Sequence, residues 1–279
     1  MHPVLFTVGS FHLYSFSLFI VLAWLIFSFV FWKMLRNQAV SDERIFDLTF
    51  YATILAFVGA RATFVLLHRE LFSDSILKIP AIWVQPGLSL YGALTCGILT
   101  MFYLARHYKV RVAYVLDSLA FALPISLSVG LLGAFLDGTS VGVLSDVPWG
   151  ILYVGYVGKR HPVQIYEILL LFFVYLLVYT VHKRANKLGY PYGTTGLWFF
   201  LSFSLGLFLV EFLKDSTVYF SYLSINQWVL VAIFAESVGA FYIRGGGREK
   251  IRPILAKSRD TLKGSLRILY EKFSKRHTG

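Results

Sequence analysis

The residue types best suited to chemistry are concentrated in one stretch of nine, Lys159–Glu167, which contains two cations, an imidazole, an amide, a phenol and a carboxylate. A long apolar run follows directly, so the stretch predicts a polar mouth at the start of a membrane-spanning helix. Ionisable groups at that depth are unfavourable and mark candidate functional sites. The alternative is an interfacial anchor, with Tyr166 and His161 at the level of the lipid headgroups.

The composition excludes a soluble globular domain. Hydrophobic residues make up 57% of the chain and charged residues only 15%, whereas soluble proteins carry about 25% charged residues. Seven apolar runs are long enough to cross a bilayer core of about 30 Å. We therefore predict an all-α polytopic membrane protein, a bundle of about seven transmembrane helices within residues 1–243. The predicted spans are Tyr14–Phe31, Ile45–Leu67, Leu88–Ala105, Val115–Leu136, Ile165–Val181, Thr195–Leu213 and Gln227–Ile243.

The distribution of Lys and Arg predicts the orientation of this bundle. Three such residues follow each of the first, third and fifth spans, and eleven more lie from Arg244 onward, but only five lie on the other side. Because positive residues collect on the cytoplasmic side, we expect the amino terminus outside and the carboxyl terminus in the cytoplasm. Residues 244–279 are predicted to form a basic amphipathic tail on the anionic inner leaflet. Nucleic acid is the weaker interpretation of that tail, and we expect no such partner.

With this orientation, polar residues from six spans fall at one depth, in the outer leaflet. Helices that start or end at the same membrane face can bring such residues into one site. This convergence predicts a single polar centre. Its candidate members are Tyr14, Arg61, Ser89, Tyr91, Asp137, Gln164, Tyr166, Glu167, Glu211 and Lys214.

Arg61 is the one basic residue placed inside a predicted span. A guanidinium there costs about 2.5–3.5 kcal/mol on insertion scales, so it needs a partner or a function. One interpretation is an ion pair with Glu167 or Glu211, or instead with Glu236 in the seventh span. The other is a clamp on the phosphate of a lipid headgroup, which suits the planar guanidinium fork. Glu211 and Lys214, three residues apart, could instead satisfy each other.

Several of these residues lie in motifs that resemble those of the prolipoprotein diacylglyceryl transferases of bacterial inner membranes. The likeness runs through about residues 1–240. The most specific match is His161–Glu167, which is close to the family's His-Pro-x-Gln-x-Tyr-Glu. The other matches keep the family's order along the chain: His2-Pro3 with Tyr14, Gly59-Ala60-Arg61, Gly87–Gly92, Asp146–Gly150, Phe208 with Glu211 and Phe212, and Ser224 with Gln227.

This resemblance implies a reaction of lipoprotein biosynthesis, the transfer of a diacylglyceryl group from phosphatidylglycerol to a lipobox cysteine thiol with release of glycerol phosphate. It implies an inner-membrane protein with an outer-leaflet site, and no metal or organic cofactor. The implied partners are phosphatidylglycerol, or another anionic phospholipid, and a lipoprotein signal segment. Matched motif by motif, catalytic roles fall on Tyr91 and Glu211. The residues implied to hold lipid or phosphate are Tyr14, Arg61, Gly142, His161, Gln164, Tyr166, Glu167 and Lys214.

The chain departs from the family pattern at the expected centre. Leu131 and Leu207 stand where the family has arginine, Ala134 where it has asparagine, and Tyr91 where it has histidine, while Lys214 replaces a further arginine. A phenol with a pKa near 10 is a poor base at neutral pH, and each lost phosphate contact removes transition-state stabilisation.

Two functions therefore stay open at the level of sequence. The first is a divergent transferase. The second is a non-catalytic relative that binds phospholipid or lipoprotein signal segments. A small transporter is a poorer alternative, because the sequence indicates no second polar cluster near the opposite membrane face.

Overall fold

The computed structural model describes residues 4–8, 11–215 and 219–247. These residues include seven α-helices, and six of the seven are long and apolar enough to cross a membrane. The prediction of an all-α polytopic membrane protein is therefore confirmed. The helices are α1 (Ser15–Arg36), α2 (Asp42–Leu67), α3 (Leu90–His107), α4 (Val112–Asp137), α5 (Val163–Leu188), α6 (Thr194–Glu211) and α7 (Ile225–Tyr242), the last followed by a π-helical turn over Ile243–Gly247.

Helix α3 is the one member that falls outside the set of six. It has 18 residues and carries Arg106 and His107 in its last turn, so less of its length is apolar. The segment before it, residues 68–89, is irregular and contains two short 3-10 turns, Arg69–Phe72 and Ile76–Lys78.

Helix α4 lies at the centre of the bundle and packs against α1, α5 and α6, while α2 packs against α3. Leu119 of α4, Phe31 of α1, Val178 of α5 and Phe199 of α6 are almost completely buried in this core. Helix α4 is apolar on most of its circumference, as expected for a helix surrounded by others. Large apolar side chains such as Leu99 remain exposed on outer helix faces, where lipid would contact them.

Three short antiparallel hairpins lead the described chain into helices α1, α5 and α7. Because each hairpin ends at or next to a helix start, it fixes where that helix enters the bundle. The pairs are β1 (Val4–Val8) with β2 (Phe11–Tyr14), β3 (Ile151–Leu152) with β4 (Lys159–Arg160), and β5 (Tyr219–Phe220) with β6 (Leu223–Ser224).

Side chains fix the starts of α6 and α7. The carboxylate of Asp117, on α4, accepts hydrogen bonds from the backbone N–H groups of Gly193 (2.6 Å) and Gly196 (2.8 Å) at the start of α6, where an acidic group is favourable. Helix α7 begins with a capping box. The Ser224 hydroxyl accepts from the Gln227 N–H, and Gln227 Oε1 accepts from the Ser224 N–H.

The described residues fall into two units, one that ends at Phe234 and one that begins at Ala235. The described part of the second unit consists of the last residues of α7 and the π-helical turn. Most of the predicted basic tail, residues 244–279, lies outside the described residues. The boundary at residue 243 and the orientation of the bundle therefore stay predictions.

Candidate active site

The centre of the site is the side chain of Lys214, which lies in the turn after α6. Its Nζ lies 2.7 Å from Oε1 of Glu167 and 3.0 Å from Oε2 of Glu211. Glu167 is in the second turn of α5 and Glu211 is the last residue of α6. Both glutamates are buried, with 4% and 3% of their surface exposed. Two carboxyl groups from different helices thus share one ammonium.

Two further side chains complete this ion-paired centre. The Tyr91 hydroxyl, at the start of α3, donates a long hydrogen bond of 3.4 Å to Glu211 Oε2. The Asn226 amide, at the start of α7, donates to Glu211 Oε1 at 2.7 Å. The structure therefore brings together Tyr91, Glu167, Glu211 and Lys214, all predicted from sequence. Asn226 was not predicted, although a carboxamide in the first turn of an apolar span was a usable signal.

The backbone around Lys214 is held by a β-bridge to Gly142. The Val143 N–H donates to the Leu213 carbonyl at 2.9 Å, and the Asp215 N–H donates to the Val141 carbonyl at 3.0 Å. A Cβ at position 142 would overlap the backbone of His161. Glycine is thus required at position 142 because the chain there lies against the backbone of His161 and of Leu213. Gly142 therefore has a structural role.

The environment of Lys214 keeps its ammonium charged. Burial by itself lowers the pKa of Lys214, but the negative charges of Glu167 and Glu211 outweigh burial and raise the pKa above the ordinary lysine value. With both carboxyls ionised, the centre carries no net positive charge. Within the described residues, no group of three or more His, Cys, Asp or Glu side chains could hold a metal ion.

Gln164 is fully buried beside this centre, and its amide is satisfied inside the protein. Its Nε2 donates to the Ser140 carbonyl, and its Oε1 accepts from the Tyr153 hydroxyl at 3.1 Å. These bonds tie the start of α5 to the chain that leaves α4. Its predicted contact with lipid stays a prediction.

His161 and Tyr166 form a second small network next to the centre. Nδ1 of His161 lies 3.1 Å from the Tyr166 hydroxyl, which also accepts from the Trp149 indole N–H at 2.6 Å. Arg160 lies on the adjoining strand, and its guanidinium donates to Asp215 at 2.7 Å and to the Gly142 carbonyl at 3.0 Å. The His161–Glu167 motif therefore joins a hairpin to the turn that carries Lys214.

Within the described residues, neither Arg61 nor Tyr14 forms an ion pair with Glu167 or Glu211. The Arg61 guanidinium is buried, and within the described residues its hydrogen bonds go to three carbonyls of the segment between α2 and α3. The alternative prediction of an ion pair with Glu167 or Glu211 is wrong, because these nearby carbonyls take its donors. Tyr14 is the exposed N-cap residue of α1, and its predicted contact with lipid stays a prediction.

Three of the positions at which the resemblance implies a departure from the family pattern are occupied by apolar residues. Leu207 is buried in the core and Leu131 packs against the same core. Ala134 is half-buried on α4, where its carbonyl accepts the N–H of Gly138, which ends the helix in a left-handed conformation. None of these three side chains has a polar group to offer to a phosphate.

An apolar hollow lies between α6 and α7. Phe208 precedes Glu211 by three residues and Leu230 follows Asn226 by four, so the hollow starts about one helical turn from the ion-paired centre. It is lined by Ser204, Leu205, Phe208, Leu230, Val231 and Phe234.

A second hollow, lined by both polar and apolar residues, lies at the opposite ends of the helices. Its lining includes Asp117, His182, Asn186 and Thr195, and His182 Nδ1 lies 3.3 Å from the Thr195 hydroxyl. The expectation of only one polar cluster is therefore wrong, because these residues come from three helices and are dispersed in sequence. Asp117 in this hollow caps α6, so part of the cluster has a structural use.

The bundle of apolar helices, with a buried ion-paired centre at one end, defines a multi-pass α-helical membrane protein. Its sequence matches the family model for prolipoprotein diacylglyceryl transferase over residues 3–243. The chain belongs to this bacterial family of transferases.

Three relatives illustrate the match, and each is named phosphatidylglycerol–prolipoprotein diacylglyceryl transferase. The protein of Geobacter sulfurreducens is 32% identical over 219 residues, which cover 76% of this chain and 82% of the relative. That of Aeromonas hydrophila is 30% identical over 236 residues, covering 81% and 84%. That of Wolbachia pipientis from Culex pipiens is 29% identical over 234 residues, covering 81% and 87%.

Proposed function

We propose that this protein is a divergent diacylglyceryl transferase, which moves the diacylglyceryl group of phosphatidylglycerol to the thiol of a lipobox cysteine. The observation that carries the proposal is the ion-paired centre of Glu167, Glu211 and Lys214, since residues from separate family motifs meet there. The site would lie at the outer leaflet of the bacterial inner membrane. Its protein substrate would be the signal segment of a prolipoprotein.

The proposed chemistry uses the groups of this centre. Glu211 accepts the thiol proton, and Tyr91 and Asn226 hold its carboxylate by hydrogen bonds. The thiolate attacks the terminal glycerol carbon of the diacylglyceryl group, forming a C–S bond as the C–O bond to phosphate breaks. Glycerol phosphate leaves with the bonding electrons, and Lys214 stabilises the negative charge that develops on it.

The apolar hollow between α6 and α7 supports this assignment. An acyl chain lying in the hollow would place its glycerol end about one helical turn away, at the level of Glu211 and Asn226. Such a site needs no water-filled path from the membrane surface, because the lipid can enter from the side.

A non-catalytic relative that binds phospholipid is the second candidate, and one observation favours it. Lys214 is already paired with two carboxylates, so a phosphate must compete with both for the ammonium. Leu131 and Leu207 supply no hydrogen-bond donor in place of the family's arginines. Removal of a carboxylate partner from a buried ammonium destabilises the protein. This cost opposes the binding of a phosphate to Lys214.

The deciding experiment is reconstitution of the full chain in vesicles that contain phosphatidylglycerol and a lipobox peptide. A transferase releases glycerol phosphate and makes the peptide heavier by one diacylglyceryl group, which mass spectrometry detects. Glu211→Gln should abolish both signals, while Glu43→Gln, an exposed carboxylate in the first turn of α2, should leave them unchanged.

The same preparation tests the second candidate. Absence of product, together with phosphatidylglycerol binding that weakens in Lys214→Met, would identify a lipid-binding relative without activity. The triple variant Leu131→Arg, Ala134→Asn and Leu207→Arg should then gain turnover, since it restores the family's polar groups. Absence of both product and binding would refute both functions.

A further inference from the structure

The segment between α2 and α3, residues 68–89, is folded back along the side of α2. The backbone N–H of Ser89 donates to the carbonyl of Ala60 at 3.1 Å. Ala60 lies seven residues before Leu67, the last residue of α2, which is about 10 Å along the helix axis. The end of the segment therefore lies about two helical turns below the end of α2, beside the helix.

Arg61 donates the hydrogen bonds that backbone carbonyls of this segment accept. Its Nε donates to the Ile79 carbonyl at 2.7 Å, and its two terminal nitrogens donate to the Lys78 carbonyl at 2.8 Å and the Gly87 carbonyl at 2.9 Å. The guanidinium also lies 5.0 Å from the centre of the Phe72 ring. An unpaired carbonyl is strongly unfavourable in a lipid environment. The planar fork of arginine can donate to three carbonyls at once.

The outward side of residues 76–84 is mainly apolar. The exposed charged residues of the segment, Arg69, Glu70 and Asp74, precede this stretch, and Lys78 forms an ion pair with Asp74. Ile76, Leu77 and Trp83 are 80%, 79% and 85% exposed, and Val84 is 56% exposed. Leu66, in the last turn of α2, is exposed as well, so these side chains continue the lipid-facing surface of that helix. Trp is the residue type enriched where a bilayer meets water. Lipid is thus the occupant that suits both the depth and the chemistry of this surface.

We propose that residues 76–84 form a re-entrant segment that inserts its apolar side chains into the membrane, with Arg61 as the residue that positions it. The inference is independent of the proposed transfer reaction. It gives the intramembrane arginine a use other than phosphate binding. Because α3 begins directly after the segment, the segment also sets the depth of Tyr91, one residue into that helix.

The experiment uses single cysteines that carry an environment-sensitive fluorophore, in the full chain in nanodiscs of phosphatidylethanolamine and phosphatidylglycerol. Cys96, the native cysteine, is first changed to Ala. Labels at Leu77→Cys and Trp83→Cys should be quenched by nitroxides on lipid acyl chains and protected from iodide in water. Leu99→Cys, on the outer face of α3, is the lipid-exposed control, and Asn37→Cys, in the turn after α1, is the water-exposed control.

The proposal is overturned if the labels at positions 77 and 83 behave like the label at Asn37→Cys, with strong iodide quenching and weak nitroxide quenching. Arg61→Lys then tests the positioning role, since lysine keeps the charge but lacks the planar fork. In that variant the label at position 83 should lose most of its nitroxide quenching and become accessible to iodide. Unchanged quenching in Arg61→Lys would remove Arg61 from the proposal.

Discussion

Replacement of Lys214 by methionine is the most direct test of the ion-paired centre. Methionine preserves much of the side-chain length but removes the ammonium, so Glu167 and Glu211 stay buried without a cation. We expect the free energy of unfolding to fall by about 3–5 kcal/mol, the usual cost of breaking a buried ion pair from one side. Lys214→Arg keeps the charge and should retain most of the stability.

The distances in the site support this magnitude. With an effective dielectric constant of about 20, unit charges separated by 2.7 Å and 3.0 Å attract each other by about 6 and about 5.5 kcal/mol. Desolvation of each buried ion opposes these terms by several kcal/mol, so the net effect is much smaller than the two attractions together. The main loss of stability in Lys214→Met is the cost of keeping two carboxylates buried without a cation.

The assay is reversible unfolding in mixed micelles, followed by circular dichroism at several pH values. Because the pKa of Lys214 is raised, its contribution to stability is complete below the ordinary lysine pKa of about 10.4 and is lost only as the pH rises through the higher, folded-state value. The titration of Lys214 itself should therefore add no pH dependence to the difference between wild type and Lys214→Met from about pH 7 to about pH 9.

A stability loss below about 1 kcal/mol in Lys214→Met, the range of exposed ion pairs, would refute the reasoning. That result would mean that water reaches the two carboxylates and screens them. An equal loss in Lys214→Arg would also contradict it, since the charge would then not be the stabilising feature.

Three further predictions concern residues outside the ion-paired centre. Asp117→Ala removes the acceptor for two N–H groups at the start of α6 and should lower the unfolding free energy by about 0.5–2 kcal/mol in the same assay. Ser224→Ala should cost a similar amount, about 0.5–2 kcal/mol, while Ser224→Thr, which keeps the hydroxyl of the capping box, should cost less. Burial raises the pKa of Tyr153 to about 12. The stability that the buried neutral phenol contributes is therefore complete below about pH 10 and is lost as the pH rises through about 12. Ultraviolet titration of Tyr153→Phe should lack one late-titrating phenol.

Each of these three has a clear opposing result. Equal stability of Asp117→Ala and wild type would mean that the N–H groups of α6 find other acceptors. A loss in Ser224→Thr as large as in Ser224→Ala would show that the hydroxyl does not cap α7. Loss of a phenol that titrates near pH 10 in Tyr153→Phe would place this side chain in water.

Much of the candidate site was predictable because its members occupy equivalent depths. Glu167 starts one apolar span and Glu211 ends another, and hydropathy with charge bias puts both near the same membrane face. The partners of each side chain were not predictable in this way. Tyr91 and Glu211 meet although they are 120 residues apart in sequence, and Asn226 was overlooked although it donates to the same carboxylate.

Arg61 shows the limit of reasoning from depth alone. A buried guanidinium requires partners, and the sequence offered acidic side chains and a lipid phosphate as candidates. The actual acceptors are backbone carbonyls of the segment that follows α2. Backbone carbonyls occur at every residue, so the sequence does not indicate which of them will lie near a given side chain.

The sequence by itself determined the helical membrane class, the number of helices and the family, because hydropathy and motif order are local properties of the chain. Only the tertiary structure decided that Lys214 serves two carboxylates and that Arg61 supports a loop. Those pairings depend on which helices pack together and on how a connecting segment folds back. Side-chain chemistry can state that a buried charge needs a partner, but the packing of the bundle selects it.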